Sequence, residues 1–270
     1  LDPYLNVDPG TMSPYQHGEV FVTKDGCETD MDLGHYERFI DIELTRTSNI
    51  TAGQVYSEVI TKERRGDYLG GTIQSVPHVT NVIMTRMKSL GEESNADVVV
   101  VEVGGTVGDI EGQPFLEAIR QMRNEAGRSN VYYIHVTLLP YISSTGELKT
   151  KPTQQSVREL RSIGIQPDCI ICRSDHPVSE EIKDKIAFFC DVEKRAVIPL
   201  MTVENVYEVP LILDEAGLGD LITEAVGLDR RKSDLREWRA LVHQMRAPKE
   251  PFTVAVVGKY ADLPDAYISV

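Results

Sequence analysis

With 270 residues, 41% of them hydrophobic, the chain is long enough for one large domain or two small ones and can fill a real core. Its formal net charge of −14 argues against a nucleic-acid partner, which needs a basic footprint, but leaves room for nucleotides held by a few local lysines. No apolar run approaches the roughly 20 residues of a membrane span and no signal peptide is present, so the expectation is a soluble, cytoplasmic protein.

Residues 1–18 are rich in Pro, Gly, Asp and Asn and read as a loop, crowded with polar side chains such as Asp2, Tyr4, Tyr15 and His17. Residues 19–23 read as a short strand, with a turn at Asp25 and Gly26. Asp32 then stands just before the apolar and aromatic pattern of Leu33, Tyr36, Phe39 and Ile40. A helix cap or first-turn carboxylate is enough to explain it. A helix is predicted over 53–63. The loop over 62–74 carries Lys62, Arg64 and Arg65, which read either as a solvated patch or as a binding cluster. A second helix over 78–90 points Val79, Val82, Ile83, Met84 and Met87 toward a core.

The sequence is organised around residues 97–120. Val98 to Val101 form an unbroken β-branched run, expected to be a strand buried on both faces of a parallel sheet. The run ends in Glu102, then Gly104, Gly105, Asp109 and Glu111, before a helix over 114–126. Ligands of open α/β sheets bind beyond the carboxyl ends of the strands, so the three acids should rim a pocket. A Mg²⁺ ion holding phosphates would relieve their repulsion; an acidic, solvated glycine turn is the plainer alternative.

A strand over 131–139 follows, with His135 read as a satisfied sheet residue. The loop over 140–156 carries Gly146, Lys149 and Lys151 into a helix running from about Thr153 to Ile163, an arrangement suited to anions. Next come a strand over 168–173, a helix over 179–190 with Lys185 and Phe189, a strand over 196–200, and one or two helices over 208–226. Cys169 and Cys172 form a CxxC, but three residues apart in a strand they point to opposite faces, so core packing is expected rather than a shared metal or disulfide. The alternation of strands and helices implies an α/β fold with a mostly parallel, doubly wound sheet. Residues 228–251 read as a charged helix and linker, and VVGKY near the end as the start of a further strand. Both ends look cut from a longer protein.

The segments DPYLNVDPGTMSPYQHGEVFVTKDG, ETDMDLGHYERF, KERRGDYLG, VEVGGTVGDIE, GELKTKPTQQSVRELRSIGIQPD and VGKYADLPDAY, spread in order from Leu1 to Val270, resemble CTP synthase of bacterial type. The resemblance implies a P-loop NTPase-like (dethiobiotin-synthetase-like) amidoligase domain over 1–227 and an interdomain helix and linker over 228–251. Residues 252–270 would begin a class I glutamine amidotransferase domain. It implies that ATP phosphorylates O4 of UTP and that ammonia, released from glutamine, displaces the phosphate at C4 to give CTP. GTP would activate, CTP would inhibit, and the enzyme would be a homotetramer.

Carried over by motif, the Mg²⁺ ligands fall on Asp32 and Glu102, with Asp32 also on the ATP side. The UTP and CTP contacts fall on Asp109, Ile110 and Glu111, on Lys149, Thr150, Lys151, Pro152, Thr153 and Gln154, and on Lys185, with Phe189 near the inhibitory CTP. The adenine side of ATP falls on Met201, Thr202 and Val203, and the ammonia route on Tyr15 and His17. No protein nucleophile is implied here. The family's Gly-rich phosphate loop would fall before Leu1 and its Cys-His-Glu triad in the glutaminase domain. The chain as written is therefore expected to be inactive with glutamine and weak or inactive with ammonia. Two rival readings are a related ligase of the dethiobiotin-synthetase type and a non-catalytic, CTP-binding assembly fragment.

Overall fold

The computed structural model describes residues 1–229 and 232–267, which form two units, 1–119 with 252–267, and 120–229 with 232–251.

In the first unit, α1 (Pro14–His17) is a single turn begun by proline. β1 (Val20–Val22) pairs antiparallel with β2 (Glu28–Asp30), and α2 (Asp32–Ile40) starts two residues later with Asp32 in its first turn. α3 (Ala52–Arg65) is capped by Thr51, whose hydroxyl accepts the Gln54 N–H at 3.1 Å. It ends at Gly66, in the left-handed conformation that favours glycine. α3 buries Val55 and Val59, and α4 (Thr80–Ser94) buries Val82, Ile83, Met84 and Met87. α5 (Gln113–Ala126), within which the division at Arg120 falls, buries Phe115, Leu116 and Ala118.

The valine run departs from expectation. Residues 98–101 form no strand, and Val100 is 90% exposed. A parallel strand needs a neighbour to complete its ladder. Among the described residues that ladder begins only at the run's carboxyl end, where the Leu1 nitrogen donates to the Glu102 carbonyl at 2.8 Å and Gly104 N–H donates to the Leu1 carbonyl at 2.9 Å. Asp2 makes the same pair of bonds on its other side, donating to Ile50 O at 2.8 Å and accepting from Ala52 N at 2.9 Å. Leu1 and Asp2 thus pin residues 50–52 and 102–104 together. The strand expected at VVGKY is also absent: residues 252–257 take up no regular secondary structure, and Val257 is 94% exposed.

In the second unit, β3 (Ile134–Leu138) leads into a small hairpin, β4 (Tyr141–Ile142) with β5 (Glu147–Leu148), and then α6 (Lys151–Ile163). β6 (Cys169–Ser174), α7 (Glu180–Cys190), β7 (Val197–Met201), α8 (Val209–Glu215), α9 (Leu218–Ala225) and α10 (Arg236–Arg246) follow. The sheet is parallel in the order β3-β6-β7, so the fold is α/β, as expected from the alternation. Central β6 is buried on both faces. Ile170 and Cys172 pack with Leu139, Val157, Ile186, Cys190 and Val197, while Cys169 and Ile171 pack with Ala196, Ile198 and Leu221. The CxxC is therefore split across the sheet, and burial pushes the two thiols up to about 12 and about 11, which makes them inert. α6 closes on Gly164, at φ +94°, where an added Cβ would lie 2.9 Å from Arg120 Cδ. Among the described residues no helix is long and apolar enough to cross a membrane.

Candidate functional site

The second unit gathers its cations beyond the carboxyl end of β3. The hairpin that follows is closed at its base by Lys149 N–H donating to Pro140 O at 2.9 Å. Lys149 Nζ pairs with the Glu147 carboxylate at 2.5 Å, and Lys185, from α7, acts on the same carboxylate. The Lys149 bond, with help from Lys185, holds Glu147 below the usual carboxylate range. Lys151 Nζ lies 5.4 Å above the Phe189 ring and donates to Gln154 Oε1 at 3.2 Å. The Thr150 hydroxyl accepts from Gln154 Nε2 at 3.0 Å instead of capping α6. With no side-chain cap, and Pro152 lacking an N–H, the first turn of α6 presents its remaining N–H groups outward. Lys149 and Lys185 thus act on one carboxylate in the hairpin that leads into α6, and Lys151 opens that helix, a set of charges suited to a polyphosphate.

Beneath that surface, polar pairs fasten α6 to β3. Buried Thr153 donates to Thr137 Oγ1 at 3.0 Å, and the Ser156 hydroxyl lies 2.8 Å from His135 Nε2. Burial lowers the His135 pKa to about 4, so it is a neutral sheet residue, as read from the sequence. At the ends of β6 and β7, Thr202 N–H donates to Ser174 O at 2.9 Å and its hydroxyl to Asp175 Oδ1 at 2.6 Å. This leaves Met201 and Thr202 exposed beside half-buried Val203.

In the first unit the acids divide. Desolvation raises the Glu102 carboxyl above its ordinary value, and Asp32, Asp2 and Asp30 raise it further. Burial, with Asp32 and Asp2, does the same to Asp30. The Tyr4 hydroxyl is pushed up by burial, by the charges of Asp2, Asp30 and Asp32, and by its bond to the Asp2 carboxylate. Asp109, by contrast, is used by its own turn, its Oδ2 accepting the Thr106 N–H at 2.9 Å, while Ile110 is 84% exposed and Glu111 is exposed. Tyr15 packs edge-on against Tyr260, and His17 edge-on against Tyr4. The basic cluster at 62–65 is occupied locally, Lys62 by Glu58 at 2.7 Å and Arg65 by Asp67 at 2.6 Å, which favours its reading as a solvated patch.

Sequence reasoning did not single out Asp2, Asp30 and Tyr4 as members of the Asp32–Glu102 cluster. The one available signal was the spacing of Asp30 and Asp32 across the step from β2 into α2. Among the described residues no three acids, histidines or cysteines stand ready as a metal cage. Mg²⁺ rarely asks for one, since it keeps waters and substrate phosphates and takes one or two carboxylates. The all-oxygen donor set, with Glu102 and Asp30 both raised by burial and by the charges of neighbouring aspartates, fits such a hydrated ion.

The family model described as "CTP synthase N-terminus" matches residues 1–228. The chain is 66% identical over all of its length to a CTP synthase of Roseiflexus sp. (strain RS-1), of which it covers 48%. It is 69% identical to a CTP synthase of Dehalococcoides mccartyi, covering 50%, and 67% identical to one of Chloroflexus aurantiacus, covering 49%. The chain spans about half the length of the curated relatives it matches.

Proposed function

Since the chain belongs to the CTP synthase family, we propose that it carries the amidoligase half of a cytoplasmic ligase that converts UTP to CTP in pyrimidine biosynthesis. Residues 1–227 are the amidoligase domain, 228–251 the connecting helix and linker, and 252–270 the start of a glutamine amidotransferase domain. ATP phosphorylates O4 of the uracil ring, which makes that oxygen a good leaving group. Ammonia, supplied from glutamine, then displaces phosphate at C4. CTP inhibits by occupying the pyrimidine nucleotide site, GTP activates the glutamine side, and the working enzyme is a homotetramer.

The observation that carries this reading is the set of Lys149 and Lys185 acting on Glu147 next to the open N-terminus of α6, which begins with Lys151. These groups take the triphosphate of UTP or CTP, together with Thr150, Pro152, Thr153 and Gln154. Phe189 packs near bound CTP, and Asp109, Ile110 and Glu111 contact the nucleoside. Met201, Thr202 and Val203 take the adenine side of ATP. Tyr15 and His17 line the approach of ammonia. Asp32 and Glu102 would hold Mg²⁺, which supplies charge neutralisation for the phosphates when bound. No side chain needs to form a covalent bond, because orientation and charge neutralisation can supply most of the catalysis.

The test is ammonia-dependent CTP formation by the full-length protein that contains this chain. Glu102→Gln should abolish turnover and leave the circular dichroism spectrum unchanged. Undiminished Mg²⁺-dependent activity would remove Glu102 from the metal site. Stabilisation by a biotin precursor in place of UTP or CTP would favour the dethiobiotin-synthetase type of ligase.

A further inference from the structure

The hairpin of β4 and β5 has only two residues per strand, too few to hold a fixed position alone. It is held from outside. The Tyr141 ring lies on the His176 imidazole, with centroids 3.7 Å apart and planes 29° from parallel. His176 follows β6, and buried Ser174 fixes its backbone in both directions. The Ser174 hydroxyl accepts the His176 N–H at 3.1 Å and donates to the His176 carbonyl at 2.8 Å. The same turn is tied to the end of β7, because Ser174 and Asp175 accept the two Thr202 bonds described above. Both stacked rings are exposed, Tyr141 by 40%, so core packing alone does not force them together.

We propose that Tyr141 and His176 are positioning residues whose stack clamps the Lys149-bearing hairpin to the loop joined to Thr202, and so couples the pyrimidine-nucleotide segment to the adenine-side segment. The coupling rests on the nucleotide assignments proposed above; the clamp itself does not. When one nucleotide orders its own segment, the stack transmits that order to the other, and the second nucleotide pays less to bind.

Two readouts on the full-length protein separate these levels. The first is amide hydrogen exchange over 141–149 without ligand. His176→Ala and Tyr141→Ala should speed it, whereas His176→Phe, which keeps an aromatic ring, should leave it near the wild-type rate. The second is UTP affinity with and without a non-hydrolysable ATP analogue. His176→Ala should weaken UTP by about two- to tenfold, the range of an aromatic pair, and should shrink the effect of the ATP analogue, with His176→Phe restoring both. Unchanged exchange in His176→Ala, or a His176→Phe protein that behaves like the alanine variant, overturns the clamp. Equal UTP weakening with the ATP effect intact overturns the coupling. A wild-type protein that binds neither nucleotide overturns the nucleotide assignment, and exchange then still decides the clamp.

Discussion

His135 shows how much a single residue's setting decides. From the sequence it was a lone histidine in an apolar run, and the structure places it buried against Ser156 with its pKa lowered from 6.5 to about 4 by desolvation. The unfolded chain therefore binds a proton that the native state refuses between those values. Its contribution to stability is complete above pH 6.5 and is lost as pH falls toward 4, in total on the order of 3 kcal/mol. Glu102 and Asp30, whose pKa values are raised, act in the opposite sense and are relieved by acidification. Urea unfolding of wild type and His135→Gln at pH 7 and pH 5 isolates the histidine. The wild type should lose more stability on acidification than the variant, and equal losses would mean that His135 titrates normally. Lys149 and Lys151 were legible as cations in the loop beyond a strand end, and Lys185 as a residue of the helix over 179–190. The action of Lys149 and Lys185 on one carboxylate was not, because it depends on α7 packing beside α6. Membership of Asp2 in the acid cluster was likewise hidden, since it follows from the backbone bonds of Asp2 to Ile50 and Ala52 and of Leu1 to Glu102 and Gly104.

At the scale of elements, helices were the most legible. α3, α4, α5 and α7 lie within a few residues of where the sequence placed them, and the structure adds side-chain caps at Thr51 and Ser179. Ser179→Ala should cost about 1 kcal/mol in thermal unfolding, because its hydroxyl is the acceptor for the Ile182 N–H. The strands divide instructively. β6 is a strand because β3 and β7 flank it. The valines at 98–101, with an equally strong local preference, are not, because a ladder requires a partner that local composition does not specify. The seam between β3 and α6 is polar, which no periodicity reveals. Thr137→Val would leave the buried Thr153 hydroxyl without its acceptor and should cost about 1–3 kcal/mol. Replacing both threonines with valine should cost less than the two single losses combined. Strict additivity in this double-mutant cycle would mean that the two hydroxyls do not interact.

For the whole molecule, the α/β class was readable because β and α alternate through the second unit, and the family was readable from long ordered segments. The division at Arg120 was not, since it follows three-dimensional contacts that no composition shift marks. A net charge of −14 makes the chain a poor general binder of anions, so the triphosphate recognition proposed above has to be local. That is the central claim: UTP and CTP share one triphosphate subsite built on Lys149 and its neighbours. Titration calorimetry of UTP and of CTP, with Mg²⁺, on full-length wild type and Lys149→Ala tests it directly. Loss of a charged phosphate contact should weaken both nucleotides by more than about tenfold. Weakening of only one, or of neither, would contradict a shared site at Lys149.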